Sequence, residues 1–208
     1  MLRNVTAQRQ VTFMTSDPRK NYIEIATRLF AQDGFDGVSL AVLAREASVS
    51  KQAVLHFFGT KERLYAEVLS ALCDRLCAEI ETARAEDART HLAAYYRAIV
   101  TSVLESSQDI RLVMRALLDS DPKARSWPLT PYLDRLIDLV RALPNQSGLS
   151  RPAALAEAHS FIGSVQYVVI SLPTVEGIYG MDTREALAEF ILESAEHEIA
   201  RLCKNSEC

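Results

Sequence analysis

Chain breakers are scarce: seven glycines and seven prolines stand among 208 residues, about half of ordinary usage. With Ala, Leu, Glu and Arg abundant, that scarcity leans the chain toward helix. A long apolar run is also missing. The longest stretch free of Asp, Glu, Lys and Arg, Ala158 to Val175, contains Ser160, Gly163, Ser164, Gln166, Ser171 and Pro173. It is too polar for a span needing about 20 apolar residues, so neither a membrane helix nor a membrane partner is expected. The first fifteen residues have no apolar core of a secretory signal. The four cysteines (Cys73, Cys77, Cys203, Cys208) lack the spacing of a disulfide framework, and a reducing cytoplasm is the simplest compartment. In that compartment the Asn145-Gln146-Ser147 glycosylation match is chance.

Catalytic signatures are missing as well. There is no phosphate-binding glycine loop, no HExxH and no G-x-S-x-G, and His56, His91, His159 and His197 are scattered singly. No catalytic residue, cofactor or metal is therefore expected. Cys73 and Cys77 stand one helical turn apart without further ligands and read as small buried side chains. Asp119-Ser120-Asp121 reads as turn chemistry.

What is present is a globular composition, 49% apolar and 24% charged, at a length of one to two domains. The net charge of −4 conceals an asymmetry. Residues 1–64 carry nine Lys/Arg against six Asp/Glu, and the remainder fourteen against twenty-one. A basic head on an acidic body points to a polyanion met by the head alone.

Residues 1–15 show no helical or strand period and read as a flexible arm. Asp17 caps a helix with Pro18 in its first turn, Ile23, Ala26, Leu29 and Phe30 line one face, and Gly34 ends it. Ser39 caps a short helix, Leu40 to about Ala47, buried through Leu40, Leu43, Ala44 and Ala47. Ser48-Val49-Ser50 forms a three-residue break, and Ser50 caps a second short helix, Lys51 to Phe57. Thr60 then caps a long helix from Lys61 to about Ala85. Two short helices on a tight turn, braced by a preceding one, follow the helix-turn-helix plan. The rest reads as helices only: Ala88–Ser106, Ile110–Leu118, and Pro131–Leu143 after a proline-punctuated connection, 121–130. The next runs from a Ser150 cap to about Leu172, where Pro173 is expected to end it. A last helix opens at the capping-box variant Asp182-x-x-Glu185.

The run Ile25-Ala26…Leu29-Phe30…Gly34-Phe35…Ser39-Leu40-x-x-Leu43-Ala44-x-x-Ala47-x-Val49-Ser50…Phe58-x-x-Lys61-Glu62-x-Leu64 resembles the tetracycline-repressor (TetR) family of transcription regulators, over about residues 18–66 without a gap. The resemblance implies an all-α fold: a helix-turn-helix DNA-binding domain (16–62) after the arm, then a helical ligand-binding and dimerisation domain (63–208). It implies a cytoplasmic, nucleoid-associated regulator, most often a repressor, whose partners are double-stranded DNA, a small-molecule effector and a second copy of the chain. Ser39, Ser50, Lys51, Gln52, Ala53, His56 and Lys61 are the candidate DNA contacts. Lys51 can donate to guanine, Gln52 can pair with adenine, and the Ala53 methyl can meet a thymine methyl. Ser39 and Lys61 stand at helix N-termini, where a phosphate finds free N–H groups.

The sequence departs from the family at three places. Ser48 stands where glycine is usual, Leu55 where tyrosine is, and Phe57 where histidine or tyrosine is. The last two remove phosphate donors worth about 0.5–1.5 kcal/mol each.

In the body, Leu155, Ala158, Ile162, Val165, Val169 and Leu172 step by 3, 4, 3, 4 and 3, a narrow seam of the kind that packs against a partner helix. With Leu187, Phe190, Ile191, Ala195, Ile199 and Leu202 it suggests a four-helix dimer interface, through Leu155, Ile162, Val165, Val169, Leu187, Ile191 and Ala195. The alternative is that both faces bury within one subunit. Tyr95, Tyr96, Met114, Trp127, Phe161 and Gln166 are the candidate pocket residues, and a set without charge suggests a neutral, moderately hydrophobic effector. The competing reading is an all-helical small-molecule or lipid-binding protein, or an enzyme, that no longer binds DNA.

Overall fold

The computed structural model describes residues 17–119 and 128–204. The expected arm and its Arg3 and Arg9, most of the 121–130 connection with Trp127, and Cys208 lie outside the described residues. Everything regular among the described residues is helix: α1 (Pro18–Gly37), α2 (Leu40–Glu46), α3 (Lys51–Phe58), α4 (Lys61–Thr82), α5 (Ala88–Glu105), α6 (Gln108–Leu118), α7 (Thr130–Arg141), α8 (Arg151–Tyr179) and α9 (Asp182–Lys204).

Local chemistry sets most of these boundaries. The side chains of Ser39, Ser50, Thr60, Asp87 and Ser150 each accept a hydrogen bond from the backbone N–H three residues on, at 2.9–3.3 Å. Each satisfies one of the donors that a helix start leaves free. Asp17 caps α1 through the N–H of Arg19 at 3.0 Å. Within α1 the helix breaks at Gly34, whose φ of 72° lies in the left-handed region that glycine enters without a Cβ clash, and a short turn carries on to Gly37.

One expected boundary is overturned. Pro173 does not end α8, which runs six residues further to Tyr179. Proline removes one backbone donor and crowds the carbonyl four residues back, at a cost of about 3 kcal/mol, but it does not bar later residues from helical dihedrals. Leu172 beside it is buried, and Glu176, one turn on, is held by Arg184 of α9 at 2.8 Å. By length and composition α8, with a mean hydropathy of 1.3 over 18 residues, could cross a bilayer, a possibility its polar residues argued against. Its buried stripe is spent on the protein's own core.

Two apolar clusters organise the molecule. The first gathers α1, α2, α3, the N-terminal half of α4 (Leu64, Tyr65, Val68, Leu69, Leu72) and three residues of α6: Leu112, Val113 and Ala116. The second gathers the C-terminal half of α4 with Ile110 of α6 and residues of α5, α7, α8 and α9. Leu76 of α4 packs against both. Thus α4 is a continuous helix shared by the two cores, and α6 lies chiefly against α1 although it follows α5 in sequence.

Candidate functional site

The break between α2 and α3 is a Schellman turn. Val49 N–H reaches Ala44 O at 2.9 Å and Ser48 N–H reaches Arg45 O at 3.1 Å, closing the end of α2 around a left-handed residue. That residue is Ser48, with φ 55°. The turn lays α3 across α2 with Val54 and Phe58 buried, leaving Lys51, Gln52 and His56 exposed and Ala53 half-exposed. The expected base-reading residues therefore share the first turn of one helix and face solvent. Ser39 and Ser50 are engaged as caps, which leaves the hydroxyl of neither wholly free.

Arg19 of α1 braces this unit. It donates to Phe57 O at 3.2 Å and to Glu67 at 3.0 Å, and its guanidinium lies 5.1 Å from the Phe58 ring centroid. The Lys61 ammonium, at the N-terminus of α4, lies 4.1 Å from the Phe35 centroid, a cation–π contact. Of the two family departures on α3, Leu55 is exposed, while Phe57 packs edge-on against Tyr22 at 5.3 Å.

The body holds a cavity of about 130 Å³ between α4, α5, α6, α7 and α8. Its walls are apolar, among them Leu76, Ile99, Ile110, Val113, Leu136 and Ile162. Of the expected pocket residues it takes Tyr95 and Gln166. Tyr96 and Phe161 stack on each other instead, centroids 3.8 Å apart, and serve the core. Met114 packs against the same core.

The polar groups were mostly missed by sequence reasoning. Tyr132 shares a 2.9 Å hydrogen bond with Tyr95 through the hydroxyls, and burial pushes its phenol up to about 12. Asp109 receives two 2.7 Å hydrogen bonds from Arg75. Glu79 receives one from Ser102 Oγ at 3.4 Å, and burial, then the neighbouring Asp109, raise its carboxyl above the usual range. The signal for Glu79 was available, since it interrupts the apolar stripe Leu69-Leu72-Leu76 at helical spacing. Nothing in the sequence announced its meeting with Asp109, thirty residues on.

The proposed dimer seam requires a correction. Val165, Val169, Ile162, Ile191 and Ala195 are buried within the single chain, and Leu155 and Leu187 are half-buried. Heptad-like spacing reports that a stripe is buried, and here the stripes of α8 and α9 pack into their own subunit. The apolar side chains left outside are others: Tyr167, Ile170, Ile178, Tyr179, Met181 and Phe190.

Cys73 and Cys77 are buried, as expected of apolar-like thiols, with Arg135 donating to Cys77 Sγ at 3.1 Å.

Residues 23–68 match the profile of "Bacterial regulatory proteins, tetR family". The chain is 29% identical over 175 residues to the HTH-type transcriptional regulator RutR of Escherichia coli (strain K12), covering 82% of each chain. It is 34% identical over 59 residues to the uncharacterized HTH-type transcriptional regulator YhgD of Bacillus subtilis (strain 168), covering 28% of this chain and 31% of that one. Among solved structures, a transcriptional regulator from Rhodococcus sp. Rha1 superposes with a TM-score of 0.68 at 18% identity, over 93% of this chain and 99% of that one. AibR, solved in complex with isovaleryl coenzyme A and operator DNA, superposes with a TM-score of 0.66 at 19% identity, over 86% and 97%.

Proposed function

The chain belongs to the tetR family of bacterial regulatory proteins, and from that premise we propose that it is a ligand-responsive transcriptional repressor binding a pseudo-palindromic operator as a homodimer. It acts in the cytoplasm, on the DNA of the nucleoid. Lys51, Gln52 and Ala53 read base edges in the major groove, with His56 beside them. Ser39, Ser50 and Lys61 engage the phosphate backbone, Lys61 by charge and the serines at helix N-termini. The second copy attaches through the outer apolar face of α8 and α9, and symmetry then presents two recognition helices about 34–36 Å apart. AibR supports the combination of an effector and an operator on one such fold.

The observation that carries ligand response is the double membership of α6. Leu112, Val113 and Ala116 belong to the head's core, while Asp109, Ile110, Val113 and Leu117 of the same helix line the cavity. Arg115 adds a 2.9 Å hydrogen bond to Gln32 O of α1, close against Gly34. An effector that fits the cavity better in one position of α6 shifts the head by that difference in affinity, and by no more.

Fluorescence anisotropy on the gene's own upstream duplex, at fixed salt, tests the reading. Lys61→Ala should weaken binding about equally across operator variants and flatten the log–log salt slope by about 1. Gln52→Ala should relax preference at one base pair, worth about 1–3 kcal/mol. Equal affinity for operator and unrelated DNA would remove the proposal and favour a ligand-binding protein without a DNA role, a reading that exposed Leu55 in place of a phosphate donor supports.

A further inference from the structure

The cavity's chemistry is lopsided. Apolar side chains from five helices make its walls, and no Lys or Arg is among its described lining residues. At one end stand two carboxylates, Glu79 and Asp109. Asp109 is neutralised by the two hydrogen bonds from Arg75, whose paired nitrogens are thereby engaged. Glu79 has the Ser102 hydroxyl alone as its hydrogen-bond donor among the described residues; it stands close enough to Tyr95 and Tyr132 for both to feel its charge, and it feels that of Asp109. Burial and the second carboxylate act on Glu79 more strongly than the Arg75 guanidinium, which is committed to Asp109, so the ionised Glu79 is held in an unfavourable state. A cation entering the cavity would relieve it, and an anion would make it worse.

Size limits the occupant too. A cavity of about 130 Å³ is close to the ~150 Å³ engineered cavity that admits benzene. Its buried volume suits a single ring or a short branched chain.

We propose that the cavity binds a small amphiphilic cation, an apolar body of one ring or a few branched carbons bearing a protonated nitrogen, with Glu79 receiving the charge beside the Arg75–Asp109 pair. This rests on the reading of the body as the effector-binding part. It replaces the neutral effector expected from the sequence with one that keeps the hydrophobic body and adds a charge. Tyr95 and Tyr132 supply hydroxyl oxygens next to Glu79, and His159 and Gln166 line the α8 side.

Three probes of nearly equal shape separate charge from size: benzylamine, benzyl alcohol and benzoate. Isothermal titration calorimetry of the full chain at neutral pH should show benzylamine binding at least tenfold tighter than benzyl alcohol, and no binding of benzoate. Glu79→Gln should bring benzylamine down to the level of benzyl alcohol. Benzoate binding as well as benzylamine, absence of benzylamine binding, or an undiminished benzylamine advantage in Glu79→Gln would each overturn the proposal. Operator binding measured on the same preparation keeps the two readings apart. Selective benzylamine binding without DNA binding would leave the cavity assignment standing and remove the regulator. DNA binding without charge selectivity would do the reverse.

Discussion

Ser48 carries a conformation that its side chain does not favour. Its φ of 55° costs an L-residue about 1–2 kcal/mol, while glycine adopts it freely but loses about 0.5–1 kcal/mol of chain entropy. The balance predicts that Ser48→Gly stabilises the protein by about 0.5–1 kcal/mol, read as a higher denaturation midpoint; an unchanged or lower midpoint would contradict it. Glu79 gives a pH prediction. Its folded carboxyl titrates above the ordinary 4.5, so the folded state binds the proton more tightly than the unfolded chain and ionisation works against folding. Glu79→Gln should therefore be more stable than wild type at neutral pH. The gap should close as pH falls through the raised value toward 4.5, where both states of the wild type become protonated. Melting curves across that range decide it. Residue by residue, the head was legible because its chemistry is local: caps act within three residues, and α3 exposes its first turn by simple periodicity. The cavity was not, because Glu79 of α4 and Asp109 of α6 become neighbours only in the folded chain, where α1 packs against both helices.

Among the helices, α6 departs most from its place in the sequence. It follows α5 of the body, yet Leu112 is wholly buried in the head's core. Leu112→Ala should accordingly destabilise the head by about 2–5 kcal/mol, as a large-to-small change in a packed core does. Hydrogen exchange should then rise in α1 and α4, and chemical denaturation gives the magnitude. Protection lost in α8 and α9 instead would contradict the assignment. Boundaries marked by Ser39, Ser50, Thr60 and Ser150 were readable from the chain. The continuation of α8 past Pro173 was not, since a proline rule is local and Arg184, which holds Glu176, comes from the next helix. The same limit explains the seam. The spacing of Val165 and Val169 announces burial, but only the fold says that their partners are in the same subunit.

Across the whole molecule, six large apolar side chains on and between α8 and α9 remain in water, Tyr167 at 75% and Phe190 at 65% exposure. A patch of this kind marks an association surface. The full chain should run as a dimer by light scattering, and the pair Tyr167→Glu with Phe190→Glu should run as a monomer whose operator affinity falls with it. A dimer that survives both changes would move the interface elsewhere.

Finally, α4 belongs to both cores and has no break along its 22 residues. At 1.5 Å per residue it is a lever about 33 Å long, so a swing of about 5° pivoted at its cavity end carries the Lys61 end about 3 Å. In a symmetric pair both ends swing together, and two such arcs in opposite directions alter the gap between recognition helices by about 6 Å, a sixth of a duplex turn. A small molecule that wedged the cavity end of the rod would move the other end out of phase with the groove.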